Sequence, residues 1–187
     1  AENMFNIDIN NDGLKGLNID NNPQPIPNYE SFDIDLNIDY DSFDEYGISR
    51  NLYEPYLLEA VNIIESNISM GLPDVNAGYS GNSGLNVIQP FYEYPAHLNN
   101  GEYIDDVSIL FQAKDFADNT LGDAIFTEIR YELDQDGELS EVGLPSQGQI
   151  RISTDMFNTN YDITAVAIHE IIHVLGFGLL WQGEDFI

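Results

Sequence analysis

Apolar and polar positions alternate from Phe32 to Tyr40: Phe32, Ile34, Leu36, Ile38 and Tyr40 interleave with Asp33, Asp35, Asn37 and Asp39. Successive side chains of a strand point to opposite faces, so this stretch predicts a strand with one wet, acidic face. The period then lengthens. Within residues 52–68, Leu57, Val61, Ile64 and Ile68 form a stripe that Leu58, Ala60 and Ile63 widen, which predicts a helix ended by Gly71-Leu72-Pro73. Strand-like runs follow at about 85–92, 106–112, 124–133 and 149–153, separated by Gly, Pro and Asn clusters. In the third run, Ile125, Thr127, Ile129, Tyr131 and Leu133 are expected to share a face. A last helix is predicted from about Asp162 to Leu175. The order strand, helix, several strands, helix predicts an α+β fold, a mixed twisted sheet with helices packed on it.

Residues 1–28 lack such periodicity. They are polar, rich in Asn and punctuated by Pro23, Pro25 and Pro27, which predicts an acidic arm ahead of a single domain at 29–187. Within the arm, Asp8, Asn10 and Asp12 precede Gly13 with the alternate spacing that opens a calcium loop. The twelfth position is Ile19, where a bidentate Glu is usual, so a solvated Asp/Asn turn is the competing reading. Asp134-Gln135-Asp136-Gly137 reads as a hairpin turn.

Charge narrows the partners. Five Lys and Arg against 33 Asp and Glu give a net charge of −28. Such a chain repels phosphate backbones and anionic lipid, which argues against nucleic-acid and membrane-surface binding, and it attracts cations. No apolar run approaches the ~20 residues that cross a bilayer. There is no cysteine, so disulfides, thiolate metal sites and cysteine nucleophiles are all excluded.

The candidate chemistry lies in Ala165-Val166-Ala167-Ile168-His169-Glu170-Ile171-Ile172-His173-Val174-Leu175-Gly176. Apart from the two His and the Glu, every residue from Ala165 to Leu175 is apolar, which predicts a helix buried all round. Two imidazoles and a carboxylate are costly there unless they are paired or hold a metal. His169 and His173 are four apart and project from one face about one turn apart, which suits two nitrogens meeting one zinc ion. Glu170 is rotated by about 100° from His169, so it can flank the ion without ligating it and accept a proton from water. The bland alternatives are a hydrogen-bonded His/Glu set on a structural helix and a metal site without hydrolysis.

The stretch His169-Glu170-Ile171-Ile172-His173-Val174-Leu175-Gly176 resembles the metzincin clan of zinc peptidases. Most metzincins place a third His three residues after that Gly, where this chain has Leu179. The leishmanolysin-like family instead interrupts the motif after Gly and places its third His beyond an insert. The continuation Phe177-Gly178-Leu179-Leu180-Trp181 resembles its bacterial, cysteine-free members. Upstream, Phe32–Ile38 resembles the family's opening strand, the helix before Gly71 its backing helix, and 149–157 the strand and loop entering the active-site helix. The likeness covers residues 32–181 and is specific at 169–181. It implies a secreted zinc endopeptidase acting on protein or peptide substrates, with His169 and His173 as ligands and Glu170 as general base. It also implies a zincin-like N-terminal subdomain, with the third ligand supplied by a remainder of the peptidase chain.

Other sources of a third ligand stay open. Glu184 and Asp185 lie 11 and 12 residues beyond His173 and carry oxygen donors. His97 has no spacing that ties it to the motif and is expected to be a surface loop residue. The rival to a peptidase is a non-catalytic, acidic extracellular module that binds Zn²⁺ and Ca²⁺.

Overall fold

The computed structural model describes residues 31–69, 71–72, 74–78, 85–88, 96–132, 143–159 and 161–178, with backbone only at 85–88 and 131–132. Seven strands occur among them: β1 (Ile34–Ile38), β2 (Val75–Asn76), β3 (Leu85–Ile88), β4 (Tyr103–Ile104), β5 (Val107–Lys114), β6 (Gly122–Glu132) and β7 (Leu144–Ser153). Five of them form one sheet in the order β1-β5-β7-β6-β3. β1, β5 and β7 run parallel, while β6 and then β3 pair antiparallel, so the sheet is mixed as the element order predicts. β2 and β4 make a separate two-stranded ribbon.

Alternation along the strands sorts the two faces. Val107, Ile109, Phe111 and Ala113 of β5 and Ile150 and Ile152 of β7 face the helices. There they meet Leu57, Ala60, Val61 and Ile64 of α2 (Glu54–Glu65), and Ala167, Ile171 and Val174 of α3 (Ile163–Val174), in one continuous core. Burying each large aliphatic side chain stabilises the fold by about 1.5–3 kcal/mol. Leu58 and Ile63 do not widen the α2 stripe: they are 47% and 39% exposed. Ser108, Gln112 and Gln147 point to the opposite face. Polar groups tie down its cover. The Leu98 N–H donates to Gln147 Oε1 at 3.0 Å, Gln147 Nε2 donates to Glu128 Oε2 at 2.6 Å, and the Gly78 N–H donates to Glu128 Oε1 at 2.7 Å.

Three sequence expectations are corrected. The first strand stops at Ile38, not Tyr40, because the Asp39 carboxylate accepts from the Ser42 N–H and caps a short helix, α1 (Tyr40–Glu45). The shared face expected in β6 is broken by register shifts at Phe126, Glu128 and Ile129, which leave Phe126, Thr127, Glu128, Ile129 and Arg130 all buried. Helix α2 ends at Glu65, before Gly71, where the Ser66 hydroxyl and the Asn67 amide donate to the Asn62 and Ile63 carbonyls. Among the described residues no helix is long and apolar enough to cross a membrane. The arm at 1–28, with Asp8, Asn10 and Asp12, and the turn at 134–137 lie outside the described residues.

Candidate functional site

Helix α3 begins where the sequence predicts. The Asp162 carboxylate accepts from the Ala165 N–H at 3.0 Å, satisfying one of the free N–H groups of the first turn. Its burial differs from the prediction. Ile163, Ala167, Glu170, Ile171 and Val174 are buried against the sheet and α2, whereas Ala165 and His169 are exposed. The apolar helix is therefore covered on one side and open along the His169 face.

On that face the two imidazoles meet. His169 Nε2 and His173 Nε2 are 3.1 Å apart, and the rings cross at 87° with centroids 4.6 Å apart. Two lone pairs this close repel unless a proton or a cation lies between them. Two nitrogens on one tetrahedral zinc, each at ~2.0–2.1 Å, sit roughly 3.3 Å apart, so the pair fits that ion with little adjustment.

The turn after the helix orients the second ring. His173 Nδ1 lies 2.8 Å from the Phe177 carbonyl oxygen. A carbonyl only accepts, so Nδ1 carries the proton and Nε2 is left as a lone-pair donor, the orientation metal-binding histidines use. Gly176 at φ 96° and Gly178 at φ 83° bracket that carbonyl in the left-handed region, which glycine enters without steric cost.

Glu170 points elsewhere. It is 6% exposed, and burial pushes its carboxyl above the ordinary carboxylate range, although His169 and His173 pull it down. A cleft of about 490 Å³ opens beside it, lined by Thr120, Leu121, Gly122, Ala165, Val166, His169 and Glu170. The arrangement sets the His169 ring and the Glu170 carboxylate along a mostly apolar cleft, with His173 beside His169. Burial makes that carboxylate easier to protonate than an exposed one.

His97 is not the free surface residue expected. It is half-buried on the sheet face opposite α3, with Nε2 2.9 Å from Ser108 Oγ, and burial lowers its pKa to about 4. The sheet separates it from the α3 pair. Among the described residues no group of three or more His, Asp or Glu gathers as a metal cage, so the site offers two nitrogen donors there. Glu184 and Asp185 lie outside the described residues. Sequence reasoning missed the Phe177 carbonyl and Gly122. Neither left a signal in the sequence, since Gly122 lies ahead of the strand expected at about 124–133.

No protein-family model matches the chain. No curated protein matches it significantly.

Proposed function

We propose that this chain carries the active-site helix of a zinc-dependent endopeptidase of the leishmanolysin-like kind. One observation carries the reading: the two Nε2 atoms converge at 3.1 Å, the His173 ring is fixed by a main-chain carbonyl, and the buried carboxylate of Glu170 stands next to His169 in the chain. The motif resemblance at residues 169–181 supports it. His169 and His173 would hold the ion. Zinc, when bound, supplies Lewis acidity that lowers the pKa of water towards ~7 and polarises a carbonyl.

The rest falls to the chain. Glu170 accepts a proton from the attacking water as a C–O bond forms at the scissile carbonyl. It then delivers that proton to the amine nitrogen as the C–N bond breaks, so atoms and charge balance. Burial suits the first half of this task, because a raised pKa makes the protonated carboxyl easier to form. Leu121, Ala165 and Val166 would receive an apolar part of the substrate.

The test combines metal binding and hydrolysis in the full-length protein. His173→Ala should abolish zinc binding in a calorimetric titration. Glu170→Gln should keep zinc and lose peptide cleavage by ~10²–10⁴-fold. Zinc binding by a wild-type protein that cleaves no peptide would leave a non-catalytic metal module. Failure to bind zinc at all would remove both.

A further inference from the structure

We propose that Gly122 is the positioning residue that seats the Glu170 carboxylate, an inference that rests on Glu170 being the proton acceptor. Gly122 opens β6 in register with Ile152 of β7. Its backbone is not in the left-handed region, so conformation alone would admit any residue there. A strand position ordinarily favours a branched or aromatic side chain, and glycine weakens it.

What excludes a side chain is space. A Cβ at Gly122 would stand 3.1 Å from Glu170 Cγ, 3.2 Å from Glu170 Oε1 and 3.3 Å from the Arg151 carbonyl oxygen. Carbon contacts relax to ~3.5–4.0 Å. The Arg151 carbonyl belongs to the β6–β7 pairing, and the Leu121 carbonyl next door accepts from the Ser153 N–H at 2.9 Å. The backbone on that side is therefore held at both neighbours. The group that must yield is the Glu170 side chain, and it would be driven off β6 into the cleft.

Gly148 makes the contrast clear. A Cβ there would fall 2.2 Å from Val174 Cγ1, so Gly148 sets how closely α3 packs on the sheet. At Gly122 the three atoms nearest such a Cβ are Glu170 Cγ, Glu170 Oε1 and the Arg151 carbonyl oxygen. The empty side of Gly122 lies against the stem and one oxygen of the carboxylate, on the wall of the cleft that His169 also lines.

The test is a double-mutant cycle in the full-length protein. Gly122→Ala should lower kcat by about tenfold and Gly122→Val by ~10²-fold or more, the cost of an ångström-scale misplacement, with KM and zinc affinity within about twofold of wild type. In a Glu170→Gln background the same substitutions should change the residual rate by less than about twofold, because they act through a group already removed. A crystal structure of metal-free Gly122→Ala should show the Glu170 carboxylate displaced by several tenths of an ångström. Equal losses in both backgrounds, or an unmoved carboxylate, overturn the proposal. If the wild-type protein cleaves no peptide, the peptidase reading fails, while the carboxylate position still decides whether Gly122 seats Glu170.

Discussion

His97 shows how one imidazole couples the fold to pH. Its Nε2 lies on Ser108 Oγ, and its Nδ1 is buried without a hydrogen-bond partner among the described residues. The Ser108 hydroxyl also lies 3.1 Å from Asp35 Oδ2. Asp35 and Glu102 pull the pKa of His97 upward, yet burial outweighs them and lowers it from 6.5 to about 4. Between those values the unfolded chain binds more protons than the folded one, so stability rises with pH across that window. The contribution is whole above pH 6.5 and is lost as pH falls towards 4, on the order of 3 kcal/mol. The raised carboxyls of Glu65 and Glu170 act in the opposite sense, because their folded forms hold the extra proton. Denaturant unfolding of wild type and His97→Gln from pH 4.5 to 7.5 separates the terms. The wild type should lose stability more steeply on acidification, and parallel profiles would clear His97 of the effect.

At the scale of elements, the seating of α3 rests on a missing side chain. Gly148→Ala puts a methyl group into Val174, an overlap expected to cost about 1–3 kcal/mol. Val174→Ala in the same chain should recover much of that, giving a coupling visible by thermal unfolding. Additive losses would show that the two positions do not meet. This helix was also the most legible element. Its cap at Asp162, its apolar run and its closing Gly176 are all local, and the His169/His173 geometry follows from helical spacing alone. Helix α1 was missed because its cap, Asp39, sits within an alternation that continues through Tyr40. The β6 irregularity was missed because it answers to Gln147 and Gly78, far away in sequence. Gly122 and His97 were illegible as site and switch for the same reason: their neighbours come from distant strands and helices.

For the whole molecule, charge is the dominant non-local term. Five basic residues cannot neutralise 33 acidic ones, so the folded chain repels itself. Screening shortens from ~10 Å at 0.1 M salt to ~3 Å at 1 M. The melting temperature should therefore climb as sodium chloride rises across that range, with an uncharged osmolyte at matched osmolality as the control. A flat or falling trend would show that the acidic groups are spaced widely enough not to matter. The α+β class and mixed sheet were readable from element order, but strand order was not. β1 lies beside β5, and β5 beside β7, through pairings that bridge long stretches of chain.

The hold on His173 has a consequence for inheritance. Its anchor is the main-chain oxygen of Phe177, whose ring is itself 47% exposed. Every residue has such an oxygen, so codon changes at 177 leave the anchor in place. The vulnerability is displaced onto Gly176 and Gly178, where any side chain strains the left-handed backbone. Drift at this site is thus free at the residue that makes the contact and forbidden at the two that do not.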